Sequence, residues 1–515
     1  MEIYLQAIAT VLEPFNIMVV ALGVIAGVVL GALPGLSSTL GLALLIPVTF
    51  GLDPVPAFLL LGGMYSGSIY GGSITAILIN VPGTPSSAAT CLDGYPLTRQ
   101  GRAGEALGMA VLASFFGGIL STFVLLFLAP PLARIGLMFG PPEQFWIAIF
   151  GLTVIVSIAG RSFIKGLMSG AFGVFLSTVG IDLMYGHPRF TFGSADLYEG
   201  IPLVPAIVGM FTIPVVIENA SRLFSLPFDP ASARIRNILP SFGRLRGMSW
   251  LFVRSSIIGT AVGIIPGAGT PVATFLAYDR ARRSSPTPER FGNGELEGVA
   301  APETANNAVE SGTLVPLLTL GIPGNAVAAV YLGAMMIHGL DPGPTLFTDY
   351  GAIVYAIIMG LFLANIIMLV AGLGLIKLSI NILRVPSYLL TPFIFIFAVI
   401  GSYAIRNNFF DVGLMLWLGF VGYWMVRNGF SVVAVVLGMI LGPIAENAWF
   451  QCLVLFDGDM LQFAGRPICV VLIAMTLASA VVGSVREHRN RRKAAGVAAQ
   501  TPEEGKAALS KAHGG

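Results

Sequence analysis

Residues 27–35 read GVVLGALPG and residues 259–267 read GTAVGIIPG, so that two glycines, a proline and a final glycine recur in register. Proline has no main-chain N–H to donate, and glycine adopts conformations that other residues avoid, so Pro-Gly predicts a break in a helix. A second Pro-Gly follows each copy, at Pro82 and at Pro323. Each half of the chain therefore carries two predicted helix breaks in the same order.

The composition sets the environment of these breaks. The chain has 515 residues, of which 55% are hydrophobic and 10% are charged, with a mean hydropathy of +0.85. Soluble proteins carry a charge on about a quarter of their residues. Residues 14–52 and 54–92 contain no Asp, Glu, Lys or Arg. Because a membrane-crossing helix needs roughly 20 apolar residues, we predict an all-α polytopic membrane protein with about 12 membrane segments, some of them broken.

Several other classes of protein and site are disfavoured by the composition. The net charge is only +2 and the basic residues cluster by loop, so no nucleic-acid partner is indicated. The three cysteines and four histidines are scattered along the chain, which argues against a disulfide framework and against a zinc or histidine metal cluster. The first sixteen residues lack the basic start of a cleavable signal, so we expect this segment to stay in the mature protein.

The basic loops give an orientation, because Lys and Arg accumulate on the cytoplasmic side. Three segments are strongly basic, while the loops around Asp182 and Asp341 are comparatively acidic and belong outside. We expect a cytoplasmic C-terminus and a periplasmic N-terminus. The predicted divisions are an N-terminal membrane repeat at 1–221, a basic cytoplasmic loop at 222–254, a C-terminal membrane repeat at 255–485 and a disordered cytoplasmic tail at 486–515.

The two repeats are predicted to run through the membrane in opposite directions. The first pair of breaks ends on the inside at Arg99, whereas the second pair ends on the outside at Asp341. Residues 255–278 are bounded by basic loops and are too short for two spans, so a re-entrant hairpin with its tip at Pro266 fits them. Inverted repeats with broken helices are typical of secondary transporters, whose substrate site lies near the midplane between the halves.

The broken helices also predict what is bound. A half-helix that begins after a break directs free N–H groups at an anion, and the half-helix before it offers carbonyl groups to a cation. This arrangement suits a carboxylate substrate coupled to sodium. The predicted substrate-binding residues are those at and just after the breaks: Pro34, Gly35, Ser37, Ser38, Pro82, Gly83, Thr84, Pro266, Gly267, Gly269, Thr270, Pro323, Gly324 and Asn325. The alternative is helix packing, since glycines four apart, such as Gly27 and Gly31, let membrane helices approach closely.

Candidate ligands for a coupling cation, sodium or a proton, come from two places. Asn80 is an isolated polar residue in an apolar run, although it could instead cap a half-helix. The segment APETANNAVESG at 301–312 places polar side chains at helical spacing as the chain enters the membrane, namely Glu303 and the candidate ligands Asn306, Asn307 and Glu310. Such side chains are expensive at that depth and therefore indicate function, with an exposed helix start as the alternative. No resident cofactor is expected.

Four long blocks of the sequence resemble a known family. They are GALPGLSSTLGLALLIPVTFGLDP at 31–54, MYSGSIYGGSITAILINVPGTPSSAATCLDGYPLTRQGRAGEALG at 64–108, GIIPGAGTPVATFLAYD at 263–279 and PETANNAVESGTLVPLLTLGIPGNAVAAVYLGAMMIHGLDPGP at 302–344. Together they resemble the large permease subunit of the bacterial tripartite tricarboxylate transporters. The similarity spans residues 15–480, and its blocks occur in order.

This resemblance implies a carrier of the bacterial cytoplasmic membrane. Such a carrier takes its substrate, an organic di- or tricarboxylate, from a periplasmic solute-binding protein and works with a small membrane subunit of about four spans. Uptake in the family is driven by an ion gradient, typically sodium. The oligomeric state stays open, with a homodimer as one alternative. Two other functions remain as rivals: a membrane-embedded enzyme with Ser66 as nucleophile, and a passive anion channel.

Overall fold

The structure is a computed structural model that describes residues 2–33, 36–159, 162–182, 186–221, 238–267, 269–379, 387–457, 459, 463–481 and 485. Within these ranges the fold is helical, apart from a two-stranded antiparallel pair of β1 (Gly180–Ile181) and β2 (Pro188–Arg189). Five of the described helices are long and apolar enough to cross a membrane, and shorter apolar helices accompany them. The prediction of an all-α polytopic membrane protein is therefore confirmed.

The helices fall into two series along the chain. The first series is α1 (Glu2–Val11), α2 (Pro14–Gly31), α3 (Ser38–Thr49), α4 (Pro54–Ile79), α5 (Ala88–Arg99), α6 (Ala103–Gly136), α7 (Pro141–Ala159), α8 (Phe163–Ser177) and α9 (Leu203–Ser221). The second series is α10 (Phe242–Gly247), α11 (Ser249–Ile264), α12 (Thr270–Ser284), α13 (Glu297–Leu320), α14 (Ala326–Ile337), α15 (Leu346–Asp349), α16 (Gly351–Leu375), α17 (Ser387–Ala404), α18 (Phe409–Arg427), α19 (Val432–Leu455) and α20 (Pro467–Val481).

Helices α2 to α5 correspond in order to α11 to α14. The start of α3 at Ser38 and the start of α12 at Thr270 are 232 residues apart, as are the prolines of the first and third breaks. The ends of α4 and α13 are 241 residues apart, as are the prolines of the second and fourth breaks. The repeated phrases therefore build the same succession of helices and breaks twice.

Glycines bring the first and third helices of each succession into backbone contact. A Cβ added to Gly27 of α2 would lie 2.5 Å from the carbonyl oxygen of Met64 in α4. In the second succession, a Cβ on Gly312 of α13 would lie 2.7 Å from the carbonyl oxygen of Thr260 in α11. Small residues permit this approach where membrane helices pack. The glycines of the repeated phrase thus have the packing role that the sequence left as an alternative.

The contacts also show that α2 and α3 form a hairpin. Gly23 of α2 faces the main chain of Leu60, whereas Gly31 faces that of Ser68, so α2 and α4 run in the same direction. The intervening α3 must return to the level at which α4 begins. Helices α11, α12 and α13 repeat this path, since Gly259 faces Ala305 and Gly263 faces Val309.

The chain divides into two compact units, each built from two segments. The first comprises Met1–Arg134 and Glu218–Gly401, and the second comprises Ile135–Ile217 and Ser402–Gly515. All four breaks belong to the first unit. The predicted division into two sequence repeats follows the order of the chain and not its compactness, and it stays a prediction. Residues 222–237 of the predicted basic loop and the whole predicted tail at 486–515 lie outside the described residues. Arg254, at the end of the predicted loop, lies inside α11.

In the second unit, buried carboxylates are paired with arginines. Glu143 is 1% exposed and lies 3.1 Å from the guanidinium of Arg466. Asp411 is fully buried and forms a two-pronged bond with Arg406, one prong of which, from Nε to Oδ2, measures 2.9 Å. The two arginines neutralise these carboxylates, as the low dielectric of a protein interior requires.

Candidate substrate and cation site

The chain leaves helical geometry at each described break. The second break follows α4 at Pro82, the third follows α11 at Pro266 and the fourth follows α13 at Pro323. Of the first break, Pro34 and Gly35 lie outside the described residues, but α2 ends before them at Gly31 and α3 begins after them. Pro-Gly therefore acts here as its chemistry predicts.

Asn80 caps a helix. Its backbone is left-handed, with φ of 57°, and its side chain is exposed at the end of α4. The position that corresponds to it in the second succession is Gly321, which caps α13 with φ of 70°. Left-handed helix caps favour glycine and tolerate asparagine. The structure thus gives Asn80 the capping role, and we leave it out of the proposed cation ligands.

The third and fourth breaks meet, and the second break lies against the end of α2. The N–H of Gly267 in the third break donates to the carbonyl oxygen of Gly324 in the fourth, at 2.8 Å. Gly324 also packs on the end of α11, because a Cβ there would lie 2.8 Å from the carbonyl oxygen of Gly263. In the first succession Gly83 packs in the same way on Gly31 at the end of α2. Any side chain at these two glycines would separate the breaks.

Polar residues after the breaks cap the helices that follow. Ser37 accepts from the N–H of Leu40 at 3.2 Å, at the start of α3. The Oδ1 of Asn325 accepts from the N–H of Ala328 at 2.8 Å, at the start of α14. Thr84 forms a capping box with Ser87. These residues therefore occupy the half-helix starts that the sequence predicts, and they satisfy part of the free N–H groups there.

The predicted substrate-binding residues differ in accessibility. Ser37, Pro266, Gly269, Thr270 and Asn325 are half-buried, Pro82 is exposed, and Ser38, Gly83, Thr84, Gly267, Pro323 and Gly324 are buried. Only the first two groups are at least partly exposed at the surface of the structure. Of these, Ser37, Thr270 and Asn325 carry polar side chains at the starts of α3, α12 and α14.

Helix α13 connects the two successions through polar bonds. The hydroxyl of Ser66 in α4 donates to Oε1 of Glu310 at 2.7 Å. The hydroxyl of Thr90 in α5 donates to Oε1 of Glu303. Both carboxylates are fully buried. In contrast to the carboxylates of the second unit, their described hydrogen bonds come from neutral hydroxyls, so their charge is not neutralised by these partners.

The same helix carries buried polar atoms that have no hydrogen-bond partner among the residues that the structure describes. They are both amide atoms of Asn306, Oδ1 of Asn307 and Oε2 of Glu310. Leaving a buried polar group unpaired costs roughly 1–3 kcal/mol, so such a cluster indicates a bound species. Carboxylate and amide oxygens are the donors that hard cations prefer. Within the described ranges no group of three or more His, Cys, Asp or Glu is placed to hold a metal ion, so the oxygens available here are one carboxylate and neutral amides.

The structure adds residues that the sequence reasoning missed. Tyr65 is buried in α4, and its hydroxyl accepts from Nδ2 of Asn325 at 2.9 Å. Asn365 is fully buried in α16, and its Oδ1 has no hydrogen-bond partner in the described ranges. A signal for Asn365 existed, because it is a lone amide in a long apolar helix, as Asn80 is in its own apolar run. Tyr65 gave no such signal, since tyrosine is common in apolar segments.

Comparison with known proteins shows the family of the sequence. The sequence profile of the tripartite tricarboxylate transporter TctA family matches residues 17–437. An uncharacterised protein encoded in the 3′ region of ttuC′ in TAR-I of Agrobacterium vitis is 39% identical over 483 residues, which are 94% of this chain and 96% of that protein. A second uncharacterised A. vitis protein, from the corresponding region of TAR-II, is 36% identical over 234 residues, 45% of this chain and 97% of its own length. The chain belongs to the tripartite tricarboxylate transporter TctA family.

Proposed function

We propose that this chain imports an organic di- or tricarboxylate by alternating access, driven by a cation gradient, with sodium as the favoured ion. The carrying observation is the buried polar face of α13. There Glu310 accepts from Ser66 of the other succession through Oε1, while its Oε2 and both amide atoms of Asn306 have no hydrogen-bond partner among the described residues. A carboxylate that receives only hydroxyl bonds in a membrane interior needs a proton or a metal cation to balance its charge. Binding and release of that cation can therefore be coupled to movement.

The substrate part of the proposal uses the half-helix starts. Thr270 and Asn325 are half-buried and lie at the first turns of α12 and α14, where N–H groups and the helix dipole favour an anion. Their hydroxyl and amide groups can bind carboxylate oxygens without placing a full positive charge in the membrane. A carboxylate and a cation bound near each other also reduce each other's cost of burial.

The remaining parts of the proposal concern partners and orientation. We place the chain in the bacterial cytoplasmic membrane, as its family implies, and its basic loops favour a periplasmic N-terminus and a cytoplasmic C-terminus. A periplasmic solute-binding protein delivers the substrate, and a small four-span membrane subunit completes the transporter. The family to which the chain belongs is tripartite, which supports both partners. A homodimer is compatible with this assembly.

The rival functions have less support. Ser66, on which an enzyme would rest, is fully buried, and its hydroxyl donates to Glu310, so the side chain has a structural reason to be there. A passive channel would leave the repeated succession of broken helices without a purpose. The uptake experiment below distinguishes both from a carrier.

The test is uptake of labelled citrate and other di- and tricarboxylates by cells that hold the chain with a binding protein and a small membrane subunit. We expect uptake to rise with an inward sodium gradient. Glu310→Gln keeps an acceptor for Ser66 but removes the charge, so sodium-stimulated uptake should fall by about ten-fold or more. Thr319→Val is the control, because Thr319 is buried in the same helix and bonds only to Val315 of its own turn, at 2.7 Å.

Two results would overturn the proposal. Uptake that ignores every ion gradient would indicate a channel, and the absence of uptake for any carboxylate would reopen the enzyme alternative. For the substrate part, Thr270→Val should lower uptake of all transported carboxylates without changing the amount of protein in the membrane. Normal uptake by this variant would remove Thr270 from the site.

A further inference from the structure

A second polar cluster lies in the first unit, at the junction of three helices. Helices α6 and α13 run side by side there in the same direction. Near one end of their contact the hydroxyl of Ser114 in α6 donates to Oε2 of Glu303 at 3.5 Å. Two turns further along both helices, the hydroxyls of Thr122 and Ser311 lie 2.9 Å apart. The residues midway between these bonds, Gly118 in α6 and Asn307 in α13, are therefore at the same level.

Helix α16 meets the other two at that level. The side chain of Asn365 lies directly on Gly118, since a Cβ there would overlap its amide group. One turn along α16, Sδ of Met368 lies 3.5 Å from Nδ2 of Asn307. Residues three apart share a face of a helix, so Asn365 and Met368 face the same neighbouring helices. We refer to the surroundings of Gly118, Asn307 and Asn365 as the three-helix junction.

The two amides of the three-helix junction have their orientations fixed. Nδ2 of Asn365 donates to the carbonyl oxygen of Leu361 at 2.8 Å, and a carbonyl can only accept. Nδ2 of Asn307 faces the thioether of Met368, which also can only accept. In both residues Oδ1 is therefore the free atom. Both side chains are fully buried, and within the described part of the chain neither Oδ1 atom has a hydrogen-bond partner.

The two hydroxyl groups beside these amides can accept hydrogen bonds, but their own protons are already donated elsewhere. The hydroxyl of Thr122 donates to the carbonyl oxygen of Gly118 at 2.7 Å, so the proton between Thr122 and Ser311 comes from Ser311. Ser311 lies one turn after Asn307 on the same face of α13. The three-helix junction thus presents oxygen lone pairs from four neutral side chains, with no hydroxyl proton left to satisfy the amides.

We propose that the three-helix junction binds an alkali cation, sodium, at a site separate from that of Glu310. Its ligands are Oδ1 of Asn307 and of Asn365 together with the hydroxyl oxygens of Thr122 and Ser311. Amide oxygens are too weakly basic to hold a proton at neutral pH, so this site takes a metal cation. Glu303, one turn before Asn307, supplies the counter-charge. A single carboxylate among neutral oxygens suits a monovalent ion, since Ca²⁺ sites recruit more carboxylates.

The inference rests on the proposed function only for the use of the site in transport, because cation binding itself is measurable without substrate. The experiment is the melting temperature of the purified full-length chain as sodium replaces choline at constant ionic strength. We expect sodium to raise the melting temperature of the wild type. Asn365→Leu, which keeps the side-chain size, should raise the half-saturating sodium concentration about ten-fold. This corresponds to a loss of about 1.4 kcal/mol of binding free energy.

The controls separate a cation site from packing. Ser121→Ala is the matched control, because Ser121 is buried on the same stretch of α6 and bonds only to Gly118 of its own helix, at 3.0 Å. It should keep the wild-type sodium response. Asn365→Asp adds a negative charge and should lower the half-saturating sodium concentration, which also covers the case that Asn365→Leu does not fold.

Three outcomes would overturn the inference. A wild-type sodium response in Asn365→Leu would mean that the junction holds water, as would an Asn365→Asp variant that is destabilised equally with and without sodium. A wild type that does not respond to sodium would remove the site altogether. In the first two cases the response of Glu310→Gln decides what has failed. If sodium no longer raises the melting temperature of Glu310→Gln, the cation site of the proposed function stands and only the junction site is wrong.

Discussion

At the scale of single residues, the unusual polar side chains of α13 could be predicted because the membrane makes them costly. Asn306, Asn307 and Glu310 stand out in an apolar chain, and the structure finds them fully buried with unpaired atoms. Their partners could not be predicted in the same way. Ser66 lies 244 residues from Glu310, and serine in a membrane helix is ordinary, so only the folded chain brings the two together.

A lone asparagine in an apolar run, such as Asn80, can be a cation ligand or a helix cap, and substitutions distinguish the two roles. Asn80→Gly should leave uptake and stability within about 0.5 kcal/mol of the wild type, because glycine occupies the corresponding cap at position 321. Asn80→Val should lower the melting temperature, since a β-branched side chain is strained at a φ of 57°. If Asn80→Gly abolishes uptake at normal abundance and melting temperature, the amide is a ligand and not a cap.

At the scale of helices, the breaks could be predicted because they depend on the covalent structure of proline and glycine. Helices α4, α11 and α13 end two or three residues before Pro82, Pro266 and Pro323. The pairing of the breaks had no such local cause. The bond between Gly267 and Gly324 needs α11 and α13 to lie side by side, and that contact depends on glycines spread along both helices.

The glycine contacts predict a loss of stability from one methyl group. A Cβ at Gly67 of α4 would collide with the carbonyl group of Val24 in α2, which the backbone cannot avoid without moving the helices apart. Gly67→Ala should therefore cost about 1–3 kcal/mol and lower the melting temperature of the purified protein. Gly51→Ala is the control, because nothing lies within 4 Å of a Cβ there. Equal melting temperatures for the two variants would contradict the packing described for α2 and α4.

At the scale of the whole molecule, the repeat of the sequence and the compactness of the structure divide the chain differently. The first unit takes Met1–Arg134 from one half and Glu218–Gly401 from the other, so that all four breaks share a unit. Hydropathy could predict that the helices enter a membrane, because it measures the preference of each segment for lipid. It could not predict this grouping, which depends on the shapes of helix surfaces that face each other.

We expect this chain to convert a cation gradient into a carboxylate gradient. The most direct measurement is the final concentration of labelled carboxylate inside proteoliposomes that hold the chain with the small membrane subunit, with the loaded binding protein outside. With an inward sodium gradient, the internal concentration should rise above the external one, and it should fall back when the gradient is collapsed. Equal concentrations inside and outside, with or without the gradient, would contradict the central claim.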